Sequence, residues 1–181
     1  MGKHKGKLGK EGGEGSRRFR GFTCKRLGEV VEAEFLAKVA RLGFRVSKPW
    51  GDSDRYDFVV EAESGFWRVQ VKSTRYRCGE KYRALLAPHG KPYNEQQIDF
   101  IVVYVEPEDL WYVLPIDMVA SRRSLALYPW MRKSKFDRYR EAWCLLACSR
   151  KVRGWKDIPV LCRGAKLQVR CAACPRGEGL E

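Results

Sequence analysis

The chain has 181 residues, with six Trp, eight Tyr and eight Phe among them, which is enough for one domain with a full core and hardly enough for two. Its formal charge of +14 suits a polyanionic partner. No apolar run is long enough to span a bilayer, and "MGKHKGKLGKEGGEGSRRFR" has charge with no apolar stretch behind it, so it is not a secretory signal. "MGKHKG" also lacks the Ser or Thr of a myristoylation site. A cytoplasmic protein with no membrane partner is expected.

The charge is uneven. Residues 1–26 carry +7 and residues 149–181 carry +5, which leaves +2 for the middle. Basic ends have two readings: phosphate neutralisation on a nucleic acid, or solvated tails. Seven Cys is an odd number with no disulfide framework, as in a reducing compartment. Cys171 and Cys174 form a CxxC with Cys162 upstream. A zinc site there lacks a fourth ligand near in sequence, so free thiols are expected.

In chain order, residues 1–22 are rich in Gly and Lys/Arg and are expected to be disordered. A helix is predicted over Lys25 to Leu42, on the apolar stripe of Leu27, Val31, Phe35, Val39 and Leu42, with Gly43 ending it. "FRVSK" is then a short strand and "PWGDSDR" a loop. "YDFVVEA" and "FWRVQVKST" read as two strands joined by "ESG". "DFIVVYVEP" and "LWYVLPI" are two further strands around the acidic turn at Glu108 and Asp109. Residues 135–148 are predicted as an amphipathic helix, with Phe136, Tyr139 and Trp143 at spacings of three and four. The order of elements gives an α/β or α+β sandwich built on a mixed sheet.

The chemistry concentrates in the hairpin. A turn centred at Glu63 and Ser64 sets Asp57 opposite Gln70. Alternation then groups Asp57, Gln70 and Lys72 on one face, with Phe58, Val60, Val69 and Val71 on the core face. Glu32 borders the apolar stripe of the first helix. Such a set suits a hard divalent cation: Asp57 offers a charged oxygen, Gln70 a neutral one, and Glu32 a second negative charge, directly or through water. A metal beside Lys72 would activate water and offset charge on a phosphodiester. Beyond Lys72, "STRYRCGEKYR" interleaves Arg75, Arg77, Lys81 and Arg83 with Tyr76 and Tyr82, as expected of phosphate contacts with aromatics free to stack. Gln96 and Gln97 have two readings, as nucleic-acid contacts or as loop residues.

Asp57 followed by Gln70-Val71-Lys72 after a hairpin, with Glu32 on a preceding helix, resembles the PD-(D/E)xK nuclease superfamily. "LGEVVEAEFLAKVARLGF" is similar to the opening helix of Holliday-junction resolvases. "QVKST" followed by "YNEQQIDFIVVYVEPEDLWYVLPI" resembles group I intron homing endonucleases, among which Gln in place of the second acid is a known variant. The resemblance covers roughly residues 25–120. It implies a restriction-endonuclease-like core, a central mixed β-sheet flanked by helices, over 25–148. Residues 1–24 and 149–181 would be basic tails. It also implies Mg²⁺ or Mn²⁺ contacted by Asp57, Gln70, Val71 and Glu32, catalysis by Glu32, Asp57, Gln70 and Lys72, and DNA as partner in a nucleoid-associated protein that can be a homo-oligomer. Tyr56 stands where the motif has Pro, and Gln70 removes one negative charge. The rival readings are a non-catalytic nucleic-acid-binding module on the same fold, and a binding module for a protein or small acidic ligand.

Overall fold

Thr23 opens the first helix. Its backbone is extended and its hydroxyl accepts the Arg26 N–H at 3.2 Å, which satisfies one of the free donors of the first turn. The helix α1 runs over Cys24–Arg41 and buries Leu27, Val31, Phe35 and Val39, each one turn from the last. It stops at Gly43, whose φ of 86° favours a residue without Cβ. There the Gly43 N–H reaches Ala40 O (3.0 Å) and the Phe44 N–H reaches Val39 O (3.1 Å), the two bonds of a Schellman close. This structure, a computed structural model, describes residues 19, 21–51, 53–62, 65–87 and 90–147. The expected C-terminal tail and the CxxC lie outside the described residues, as do residues 1–18. Phe19, within the expected N-terminal tail, is buried, and Phe22 packs against the core, their rings 5.7 Å apart. Packing therefore begins ahead of the helix, because two aromatic rings cover its first turn.

Eight strands follow: β1 (Arg45–Ser47), β2 (Phe58–Ala62), β3 (Gly65–Thr74), β4 (Arg77–Cys78), β5 (Lys81–Leu85), β6 (Phe100–Val105), β7 (Leu110–Pro115) and β8 (Ser124–Leu127). The main sheet has the order β1-β2-β3-β6-β7. It is mixed: β3 and β6 are parallel and the other pairs antiparallel. Strands β4, β5 and β8 form a second, antiparallel sheet. This α+β arrangement agrees with the restriction-endonuclease-like core expected. Among the described residues α1 is its one long helix.

β6 and β7 are buried at every residue, as strands covered on both faces must be. One face of the main sheet meets α1. Phe35 lies 5.1 Å from Phe58, 6.3 Å from Trp111 and 6.1 Å from Trp143 between ring centroids. Trp67 joins this face edge-on to Phe100 and donates its indole N–H to Leu146 O at 2.8 Å. The register puts Gln70, Lys72 and Thr74 on the other face, beside Ile101, Val103 and Val105. There the end of β3 meets the second sheet, where the Thr74 hydroxyl donates to Arg83 O at 2.7 Å.

The helix expected over 135–148 is not formed. The chain makes a 3₁₀ turn at Asp137–Tyr139 and a single helical turn, α2, at Cys144–Ala147. Between them Arg140 is extended and bridges to Tyr112, and Glu141 has a φ of 47°. The Glu141 carboxylate accepts the Trp111 N–H at 2.8 Å and the Trp143 indole N–H at 2.7 Å. Phe136, Tyr139 and Trp143 are buried as their spacing suggests, but contacts to β7 override the local helical period.

Buried tyrosines of this core add a pH-dependent contribution to stability at the alkaline end. Burial pushes Tyr82 up to about 12, and its hydrogen bond to Glu108 acts the same way; burial also pushes Tyr112 up to about 12. Both folded values exceed the ordinary 10.0, so the folded chain holds these protons more tightly than the unfolded chain. Their stabilisation is complete below pH 10 and is lost as pH rises through about 12. Unfolding midpoints should fall across that window. Burial raises Tyr139 as well, so phenolate absorbance should show Tyr82, Tyr112 and Tyr139 titrating late, and one fewer in Tyr82→Phe.

Candidate active site

Asp57 directly precedes β2. Its N–H donates to Val69 O at 2.9 Å, which continues the β2–β3 ladder. Phe58 pairs with Val69, so Asp57 stands opposite Gln70 in the register the hairpin sequence suggests. The Asp57 Oδ2 accepts the Val71 N–H at 2.7 Å and also the Gln70 side-chain amide. Gln70 Nε2 donates in addition to Val71 O at 3.3 Å. A carboxylate, a side-chain amide and a main-chain carbonyl thus converge, and Gln70 is only 6% exposed. Val71 can contribute nothing but that carbonyl, since its side chain lies in the core.

Burial pushes the Asp57 carboxyl above its ordinary range. The Val71 N–H opposes this, the Glu32 charge adds to it, and Lys72 and the Gln70 amide oppose it. The amide NH₂ of Gln70 therefore fills a place bounded by two oxygens. Rotating that amide by half a turn would present Oε1 to the same place; which end points there follows from the hydrogen-bond network. The donor set fits a hard cation of the Mg²⁺ or Mn²⁺ kind, which prefers oxygen. Among the described residues no group of three His, Cys, Asp or Glu side chains could hold a metal. The set found here uses an amide and a carbonyl in their place.

Lys72 follows two residues on, on the Gln70 face, and its charge acts on Asp57. The ammonium lies 5.9 Å from the centroid of the Tyr93 ring, and the Arg55 guanidinium lies 4.4 Å from the same ring. Arg55 also donates to Lys91 O at 2.7 Å, tying the loop before Asp57 to the loop before β6. Arg68 anchors that second loop further on: it donates to Asp99 at 3.1 Å and to Glu95 O at 3.0 Å. Glu32, on α1, acts on Asp57 through its charge and accepts from Lys48 Nζ at 2.8 Å. That bond pushes Lys48 above its ordinary value. The structure thus brings Asp57, Gln70, Val71 and Lys72 together, with Glu32 joined to the group by electrostatics and paired to Lys48.

The basic stretch includes a hairpin, β4–β5. Arg77 pairs with Tyr82, whose side chain is buried, and its guanidinium lies 4.6 Å from the Trp130 ring centroid. Lys81 and Arg83 alternate with Tyr82 and so face the other way. Arg75 is exposed and donates to Phe22 O at 3.0 Å, and Tyr76 is exposed. Of the five residues expected to meet DNA, Arg77, Lys81 and Arg83 therefore lie on two faces of the hairpin, and Arg75 and Tyr76 precede it. Gln96 is exposed, while Gln97 is half-buried with its Oε1 enclosed and without a hydrogen bond.

Lys48, Arg55 and Tyr93 are absent from the sequence-based site. They come from the β1–β2 and β5–β6 connections, and no local period marks their relation to Asp57 and Lys72. Trp50, two residues after Lys48, is fully exposed.

A hairpin presenting Asp57, Gln70 and Lys72 from a mixed sheet backed by α1 defines a class of nuclease fold. The model of the PD-(D/E)XK endonuclease family matches residues 22–145, and the chain belongs to that family. Among solved structures it is similar to a bacterial homing endonuclease, I-Ssp6803I. The identity is 30%, the TM-score 0.58, and the match covers 68% of this chain and 91% of that one. Comparison with curated proteins gives no match. The chain is thus an endonuclease by family, and no helix among its described residues is long and apolar enough to cross a membrane.

Proposed function

We propose that the chain is a metal-dependent DNA endonuclease that hydrolyses phosphodiester bonds at the Asp57, Gln70, Val71 and Lys72 cluster. The observation that carries this reading is the convergence of the Asp57 carboxylate, the Gln70 amide and the Val71 carbonyl beside Lys72. These groups would hold Mg²⁺ or Mn²⁺, with Glu32 as the supporting acid. When bound, the ion supplies Lewis-acid activation of water and of the scissile phosphate. Lys72 orients the attacking water and offsets negative charge that develops on the phosphate. Tyr93, near both the Arg55 and Lys72 cations, limits how far the Lys72 ammonium wanders. Arg75, Tyr76, Arg77, Lys81 and Arg83, on and just before the β4–β5 hairpin, would contact the DNA backbone, Arg77 from the face opposite Lys81 and Arg83. A protein of this activity works where the DNA is, in the cytoplasm beside the nucleoid, and cutting both strands is served by two copies of the chain.

The test is a cleavage screen of the full chain on linear, supercoiled and four-way-junction DNA. Cutting with Mg²⁺ or Mn²⁺ that stops with EDTA supports the reading. Retention of DNA with steep salt dependence, and no cutting with any divalent ion, favours the second one: a non-catalytic DNA-binding module, which the neutral Gln70 motivates. Gln70→Glu restores one negative charge among the proposed ligands. Calorimetry should show it binding Mn²⁺ about tenfold tighter than wild type; unchanged affinity would argue against a metal at this position.

A further inference from the structure

We propose that the Lys48 ammonium is a built-in cation of the active site, standing at Glu32 in place of a second divalent ion, so that the nuclease works with one. This rests on the reading of the site as metal-dependent.

The placement of Lys48 comes from the sheet. Ser47 pairs with Val59 in the β1–β2 ladder, so the next residue along β1 arrives opposite Phe58, the neighbour of Asp57. The ammonium lies 5.6 Å from the Phe58 ring centroid and 2.8 Å from Glu32 Oε2, and Asp57 is within its electrostatic range. Stability does not account for the pair. Its side chains are 60% and 30% exposed, and exposed ion pairs contribute little.

Charge accounts for it better. Glu32 and Asp57 carry two negative charges. With Gln70 in place of an acid there is no third, and Lys72 and Lys48 bring two positive ones. One divalent ion then leaves the site net positive by two, matched to a phosphodiester and its developing charge. A second divalent ion has no carboxylate to itself, because Glu32 is already paired. Lys48 thus sets ion stoichiometry and is a positioning residue for Glu32. Losing it should free Glu32 to bind a further ion.

The experiment counts Mn²⁺ bound to the full chain, by electron paramagnetic resonance of free Mn²⁺ and by calorimetry, without DNA. Wild type should bind one ion and Lys48→Met two, with the first held about tenfold tighter once the nearby positive charge is gone. Lys48→Arg, which keeps the charge, should bind one. Lys48→Met combined with Glu32→Gln should return to one. Lys48→Met binding a single ion at wild-type affinity would overturn the proposal while leaving the nuclease reading intact, as would two ions on wild type. No ion on wild type would remove the metal reading itself, and this inference with it. Circular dichroism of each variant checks that the fold persists, as substitution of a surface side chain should allow.

Discussion

Lys72→Ala should lower the cleavage rate by about 10²–10³-fold or more while DNA binding persists. The side chain is half-buried at the edge of the proposed site, next to the Asp57 charge and under the Tyr93 ring. Its removal opens no core cavity, because Val69 and Val71 carry the packing of this part of β3. The loss should fall on the chemical step, where charge builds up on the phosphate, and little on affinity, to which the basic hairpin contributes separately. Single-turnover cleavage alongside a filter-binding titration separates the two. A variant that cuts at the wild-type rate would remove Lys72 from catalysis.

Asp57→Asn should abolish detectable cutting and at the same time make the protein more resistant to unfolding at neutral pH. If Asp57 holds the proposed ion, its loss should reduce activity by more than the 10–100-fold typical of outer-shell partners. The stability change follows from burial, the largest influence on Asp57, which holds its carboxyl above the ordinary 3.8. The folded chain therefore binds this proton more tightly than the unfolded chain. Stability from this group is greatest below the unfolded value and declines as pH rises through the raised folded one. At neutral pH the native state carries a buried carboxylate at a cost. Asn keeps an oxygen to accept the Val71 N–H and has no charge to bury. Thermal unfolding of the two proteins from pH 4 to 8 should show curves that separate as pH rises, because the amide of the Asp57→Asn variant does not ionise and contributes no titration of its own.

The hairpin shows how much of this was legible beforehand. A period of two in "FWRVQVKST" fixes the face that buries Trp67, Val69 and Val71, and the short turn expected between the strands fixes the register that puts Asp57 opposite Gln70. The first helix was equally readable, because its apolar stripe and Gly43 agree, although the Thr23 cap was not singled out. The second sheet was hidden. β4 is two residues long, and β5 alternates basic and apolar residues in a stretch whose charge suggests a loop. Its apolar side gains meaning only once β8 pairs with it. The 135–148 segment failed for the opposite reason: its helical period was real, but Glu141 is held by Trp111 and Trp143 in a backbone conformation no helix permits. Of the proposed site, Asp57, Gln70 and Lys72 could be grouped from the sequence because one hairpin presents them. Lys48 and Arg55 were missed because only the folded sheet and the Tyr93 loop bring them near.

Crystals of the full chain grown with Mn²⁺ and measured at a wavelength sensitive to manganese offer the most direct test. The expected result is one anomalous peak bounded by the Asp57 carboxylate, the Val71 carbonyl and a Gln70 amide turned to present Oε1. An empty position there in crystals saturated with the ion, with Gln70 Nε2 still bonded to Asp57, would contradict the metal centre on which the nuclease reading stands.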